Sequence, residues 1–216
     1  MTGDIKAMRR AYTLGGIDTE NVQADPIEQF REWFQAARQA GPPEWLEINA
    51  MTLATADRQG NVTSRIVLLK SVEPEGFTFF TNYQSIKGRQ LAVNPRASLC
   101  FFWPHLERQV RIDGAVQTVA ASVSDEYFQS RPRDSQLGAL LSEQSAAVAD
   151  RATLEARFES LREQHQERPV PRPEHWGGYR VQPQRIEFWQ GRPNRIHDRI
   201  CYTRRGEGWA IERLCP

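Results

Sequence analysis

From Ala50 onward, turn residues cut the chain into short β-forming runs, and this punctuation limits the fold more than any other feature. The runs at 51–55, 62–69 and 77–81 are separated by Asp57-Arg58-Gln59-Gly60-Asn61 and by Glu73-Pro74-Glu75-Gly76. Connections this short join antiparallel neighbours, because a parallel pair needs a long crossover. Runs at 97–103 and 108–118 continue the series, with Gly114 suggesting a bulge or bend. Further runs follow at 178–181, 185–189 and 196–203, and Gly206-Glu207-Gly208 turns into a last one at 209–214. Helical patterns lie between them. Asp25 caps a helix opened by Pro26, with Ile27, Phe30, Phe34 and Ala37 on one face and Gly41-Pro42-Pro43 at its end. Ser85 caps a short helix that stops before Pro95, and 124–130 and 135–141 read as two more. Asp150 opens a longer helix to about Gln166, with Leu154, Phe158 and Leu161 as its apolar face. The pattern predicts a mainly β fold with peripheral helices (α+β), its strands forming a closed or nearly closed antiparallel barrel. Residues 1–24, with Gly15-Gly16 and little periodicity, predict a mobile arm that orders on contact. Residues 25–216 are expected to form a single domain, completed by 171–216.

Several function classes are disfavoured. Lys plus Arg is 28 and Asp plus Glu is 27, so the chain lacks the basic excess of a general nucleic-acid or anionic-membrane binder. The three cysteines, Cys100, Cys201 and Cys215, form no CxxC pair, and the four histidines have no HExxH spacing, so no metal site is expected. The first ten residues lack the apolar core of a secretory signal, and no apolar run is long enough to span a bilayer, which makes the cytoplasm the expected compartment. There is no GxGxxG or P-loop, so a nucleotide cofactor would not be held in the Rossmann manner.

Basic residues instead gather locally. In Asn194-Arg195-Ile196-His197-Asp198-Arg199, an extended backbone would put Arg195, His197 and Arg199 on one face. They would repel one another unless an anion sat among them, and Trp189 could supply an aromatic wall; a solvated, charged edge strand is the competing reading. Arg65 and Lys70 end an apolar run with opposite parity, so they serve two anions, or one if a bulge intervenes, or simply snorkel from a core strand. Ser85-Ile86-Lys87 opens a helix whose N-terminus suits a phosphate. Tyr127 and Arg131 share a helical face, and Ser135 stands at the next helix start; this is either a phosphate cradle or a helix–turn–helix joint held by local salt bridges. Trp176-Gly177-Gly178-Tyr179 allows close backbone approach between aromatic walls. No nucleophilic triad is visible, which suits redox chemistry carried by a cofactor.

Taken in order, RIVLLK, FFTN, LERQVRIDG, YFQSRPRDSQ, WGGYRV, EFWQG and NRIHDR resemble the pyridoxine/pyridoxamine 5′-phosphate oxidase family over nearly the whole chain. The resemblance implies a split β-barrel of antiparallel Greek-key type and a homodimer whose two FMN sites are built from both subunits. It implies an enzyme that oxidises pyridoxamine 5′-phosphate and pyridoxine 5′-phosphate to pyridoxal 5′-phosphate, with O2 as acceptor and H2O2 released. Carried over by motif, Arg65, Ile66, Val67, Leu68, Leu69, Lys70, Phe80, Thr81, Lys87, Gln109, Gln144, Ser145, Trp189 and Arg199 would hold FMN. Lys70, Tyr127, Arg131 and Ser135 would grip the substrate phosphate. Arg195 and His197 would lie against the pyridine ring as the catalytic pair, and Arg9 and Tyr12 would belong to a segment closing over the substrate. A split-barrel flavin oxidase for another aromatic substrate, such as a phenazine precursor, and a non-catalytic flavin- or haem-binding protein are the alternatives. The chain departs from the family at Ile86, where Arg is usual, and at Cys215, where Ala is usual.

Overall fold

The computed structural model describes residues 5–7 and 10–216. Its elements run in the order α1 (Pro26–Gln39), β1 (Ala50–Ala56), β2 (Val62–Leu68), β3 (Ser71–Glu73), β4 (Gly76–Asn82) and α2 (Ile86–Val93). They continue with β5 (Arg96–Trp103), β6 (Arg108–Thr118), α3 (Ala121–Ser130), α4 (Arg133–Leu141), α5 (Arg151–Gln164), β7 (Trp176–Gln190), β8 (Asp198–Arg205) and β9 (Gly208–Arg213). The strands make one sheet ordered β2-β1-β5-β6-β7-β4-β3, with β8 pairing both β7 and β9. The registers of β3 with β4, β4 with β7, β7 with β8 and β8 with β9 are all antiparallel. The helix caps are those the sequence predicts. The carboxylate of Asp25 accepts from Ile27 N, the hydroxyl of Ser85 from Gly88 N, and the carboxylate of Asp150 from Thr153 N.

Two strand expectations are corrected. The runs at 178–181 and 185–189 are one strand, β7. Residues 176–181 pair with β4 and residues 185–190 with β8, so Pro183, which has no N–H to give, falls between the two registers. The stretch 195–197 is not extended. Pro193–Arg195 forms a 3-10 turn in which Asn194 and Arg195 take left-handed φ values of 58° and 62°, and β8 begins only at Asp198. Strand parity therefore does not group Arg195, His197 and Arg199.

Contact density groups the chain into two compact units. One holds residues up to Thr52 with Ser98–Asp113 and Pro183–Pro216. Its core is aromatic: the Phe30 ring lies 5.0 Å from Phe101, Trp33 5.2 Å from Phe188, and Phe188 5.6 Å from Tyr202. Trp33 is buried on α1, whereas Phe34, expected in the core, is half-buried. Residues 10–24, expected as a mobile arm, are hydrogen-bonded within this unit. Thr13 N and Leu14 N donate to Glu107, Ile17 N donates to Asp198, and the Tyr202 hydroxyl donates to Gln23 O.

The other unit holds Leu53–Ala97 and Gly114–Gln182. Phe128, Leu137, Val170 and Trp176 form its helical core, against which Phe80, Tyr127, Phe158 and Leu161 pack. Leu154, expected on the apolar face of α5, is exposed.

Candidate functional site

A cavity of about 840 Å³ opens in the second unit, within the size range of small-molecule sites. The end of β2 supplies Arg65, Ile66, Val67 and Leu68, and the break before β3 supplies Lys70. That break resolves the parity question: β2 stops at Leu68, so Arg65 and Lys70 line one cavity although a regular strand would part them. Phe80 and Thr81 enter from β4, Lys87 from the first turn of α2, Tyr127 from α3, Arg131 from the α3–α4 joint and Ser135 from the first turn of α4.

Arg65, Lys70, Lys87 and Arg131 line this cavity, and no carboxylate does. Lys87 is 8% exposed. Its ammonium donates to Gln144 Oε1 at 2.6 Å and to the hydroxyls of Thr81 and Ser85 at 3.2 Å, all neutral partners. Burial, with Arg65 as a secondary cause, pulls its pKa down from 10.5 to about 8. Arg65 is held by Leu53 O at 3.1 Å, by Thr55 Oγ1 at 2.7 Å and by Thr63 Oγ1, and burial lowers its pKa too. Neighbouring cations without a counter-ion are costly in a partly dry site, and a bound dianion would relieve that cost.

A second anionic position is marked at Arg131. One of its terminal nitrogens, Nη1, is buried with no hydrogen-bond partner. Its guanidinium lies 4.8 Å from the Trp176 ring, and burial lowers its pKa despite the Tyr127 phenol nearby. Lys70 stands 5.7 Å from the Tyr127 ring. These cations stand against a set of stacked rings: Phe80 on Tyr127 at 4.1 Å and Phe80 on Trp176 at 5.5 Å. Phe80 sits opposite Gly178 in the sheet register, and a Cβ on Gly178 would come within 2.8 Å of the ring. The glycine in the WGGY run is therefore required by the ring's position. The cavity offers cations for two anionic groups and flat walls for an aromatic body.

The first unit holds a different cluster. The Trp189 and His197 rings are 4.7 Å apart, and Tyr12 meets both edge-on at 5.6 and 5.7 Å. Arg192 N donates to His197 Nδ1 at 3.1 Å, so the neutral ring carries its proton on Nε2. Arg195 is exposed on the 3-10 turn. Arg199, opposite Trp189 in the β7–β8 register, donates to Glu187 at 2.8 Å. Burial would raise the Glu187 carboxyl, but Arg199 and Arg185 overcome it and hold the pKa below its ordinary value.

Most of the motif-derived FMN and phosphate residues thus meet in one cavity. Leu69 is buried outside the lining. Ser145, at φ 76°, accepts from Ile86 N at 3.3 Å and so braces the start of α2. Gln109 is half-buried on β6. Arg9 lies outside the described residues. Trp176 joins the lining, and the WGGY run had marked it only as an aromatic wall. Glu107 and Glu187, both almost fully buried, were missed because a lone glutamate in a strand or turn gives no periodic signal. Among the described residues no helix is long and apolar enough to cross a membrane, and no group of three or more His, Cys, Asp or Glu could hold a metal ion.

The chain also matches known proteins. Residues 27–165 match the family model described as pyridoxamine 5′-phosphate oxidase, and residues 176–216 match the pyridoxine 5′-phosphate oxidase C-terminal dimerisation region. The pyridoxine/pyridoxamine 5′-phosphate oxidase of a Cyanothece strain is 53% identical over 216 residues, covering 100% of both chains. The crystal structure of PhzG from Burkholderia lata, in complex with tetrahydrophenazine-1-carboxylic acid, is 29% identical. It superposes with a TM-score of 0.85 over 94% of this chain and 100% of that one. A pyridoxamine 5′-phosphate oxidase-related, FMN-binding protein from Nostoc punctiforme shares the fold, with a TM-score of 0.70 at 16% identity over 87% and 97% of the two chains.

Proposed function

Because the chain belongs to the pyridoxamine 5′-phosphate oxidase family, we propose that it converts pyridoxamine 5′-phosphate, dioxygen and water into pyridoxal 5′-phosphate, ammonia and hydrogen peroxide, with FMN as its cofactor. Pyridoxine 5′-phosphate is oxidised to the same aldehyde. The observation that carries this reading is the carboxylate-free cavity, lined by the buried Lys87, by Arg131 with its unpartnered nitrogen, and by stacked aromatic rings. Both ligands are flat and each carries a phosphate, so the donor set fits FMN.

Lys87 and Arg65 hold the FMN phosphate. When bound, FMN supplies the two-electron acceptor that no side chain of the chain offers. Arg131, Lys70, Tyr127 and Ser135 clamp the substrate phosphate, which fixes one end of the substrate and limits the positions its reacting carbon can take. Arg195 supports the substrate ring with its fixed charge. His197 acts as a hydrogen-bond donor through Nε2, because its Nδ1 already accepts from Arg192 N. The working form is a homodimer, supported by the match to the dimerisation region.

The test is direct. The purified protein should be yellow, and adding pyridoxamine 5′-phosphate under air should yield pyridoxal 5′-phosphate and peroxide. A colourless protein that takes up no FMN would defeat the reading. Equal turnover of substrates lacking the 5′-phosphate would shift it toward the phenazine-type oxidases.

A further inference from the structure

We propose that Glu107 is a positioning residue for this reaction, one that seats Tyr12 against His197 and Trp189. The kinetic consequence rests on the oxidase reading; the geometry does not. Glu107 is 1% exposed. Its Oε2 accepts from Thr13 N at 2.7 Å and from Leu14 N at 3.0 Å, and its Oε1 lies 3.6 Å from the Arg10 guanidinium. The side chain therefore grips the segment that carries Tyr12. The main chain of the same residue grips the surface beneath it, since Glu107 O accepts from Gly191 N at 2.8 Å and from Gln190 Nε2 at 3.3 Å.

Gly191 is the floor on which Tyr12 rests: a Cβ there would lie 2.7 Å from Tyr12 Cγ. One residue thus ties both halves of the contact, by side chain above and by backbone below. Its backbone is left-handed, with φ of 56°, a region where glycine or asparagine would be easier. A buried carboxylate is costly unless hydrogen-bonded. Here the backbone donors of the 10–14 segment satisfy it, so undocking that segment would leave the charge without them. Glu107 accordingly holds Tyr12 down, and Tyr12 shields the Trp189–His197 ring pair.

The test is a double-mutant cycle with two readouts. Glu107→Leu should raise the KM for pyridoxamine 5′-phosphate about tenfold, the lower end expected for losing hydrogen bonds to a charged group. Its FMN absorbance should match wild type. Glu107→Gln, which keeps an acceptor oxygen, should raise KM by less than about threefold. Tyr12→Ala should raise KM similarly to Glu107→Leu, and the double variant should be no worse than Tyr12→Ala alone. Trypsin should cut after Arg10 faster in Glu107→Leu than in wild type, a readout independent of any substrate. Additive KM effects, or unchanged KM and unchanged cleavage, would overturn the proposal. If Glu107→Leu folds poorly, Glu107→Gln carries the same cycle, and a KM rise persisting in the Tyr12→Ala background overturns it. A wild-type protein that does not turn over pyridoxamine 5′-phosphate defeats the oxidase reading, while the trypsin comparison still decides the role of Glu107.

Discussion

FMN binding by the wild-type protein should weaken between pH 7 and 9, and replacing Lys87 by methionine should abolish that pH dependence. The ligand-free ammonium is buried among neutral partners beside Arg65, which lowers its pKa to about 8. A phosphate dianion favours the charged form, so binding restores the proton and raises the pKa again. The protonated fraction of the free site falls from about 0.9 at pH 7 to about 0.1 at pH 9. FMN affinity should therefore fall about tenfold across that interval, while the phosphate stays dianionic. At pH 8 each binding event should take up about half a proton. Stability follows the same linkage. The unfolded chain holds this proton more tightly than the ligand-free native state, so native stability should rise with pH between about 8 and 10.5 and be independent of Lys87 titration below that window. Flavin fluorescence titrations at several pH values, with calorimetry in buffers of different ionisation heat, measure both quantities. In Lys87→Met the affinity should be lower by about tenfold to a hundredfold and flat with pH. A wild-type affinity already flat from pH 7 to 9, with no proton uptake at pH 8, would refute the assignment of Lys87 to the phosphate.

Ile86 is exposed on the first turn of α2, at a position where the sequence resemblance implies Arg. Ile86→Arg should tighten FMN binding by about tenfold or more, and equal affinities in apoprotein titrations would show that the lost contact does not matter. Arg195→Ala and His197→Ala should each lower kcat by at least about tenfold with the flavin spectrum intact, whereas full turnover in both removes them from the chemistry. Phe30→Ala, emptying the centre of the aromatic core, should cost about 3–5 kcal/mol in urea denaturation; a loss under about 1 kcal/mol would contradict its burial.

What could be read from sequence divides along a physical line. Helix ends were legible because capping is local: Asp25, Ser85 and Asp150 each bond an amide within three residues. Most strand boundaries were legible for the same reason, since turns are written in neighbouring Gly, Pro and Asn. The failures are places where a distant partner decides. Pro183 reads as a break, yet β7 passes through it because two different strands share the work of pairing. Residues 195–197 read as extended, yet two left-handed residues turn the chain there.

The charged residues divide in the same way, and the division bears on function. Sequence shows where cations are, but not which have been neutralised. Arg199 was grouped with His197 as a ligand-binding cation. In the fold its guanidinium is matched by Glu187, a carboxylate invisible to any periodic pattern. Lys87 read as an ordinary lysine behind a helix cap, and Arg131 as part of a phosphate cradle or of a salt-bridged joint; in the fold Lys87 is buried among neutral acceptors and Arg131 Nη1 is buried with no hydrogen-bond partner. A cation whose charge is already answered contributes mainly to holding β7 against β8. A cation whose charge is unanswered exerts its field on whatever enters the cavity. Anion affinity in this protein should therefore track Lys87 and Arg131 more closely than Arg199. Arg199→Gln should accordingly weaken FMN binding less than Lys87→Met does, and a larger loss in Arg199→Gln would show that its pairing with Glu187 gives way when FMN binds.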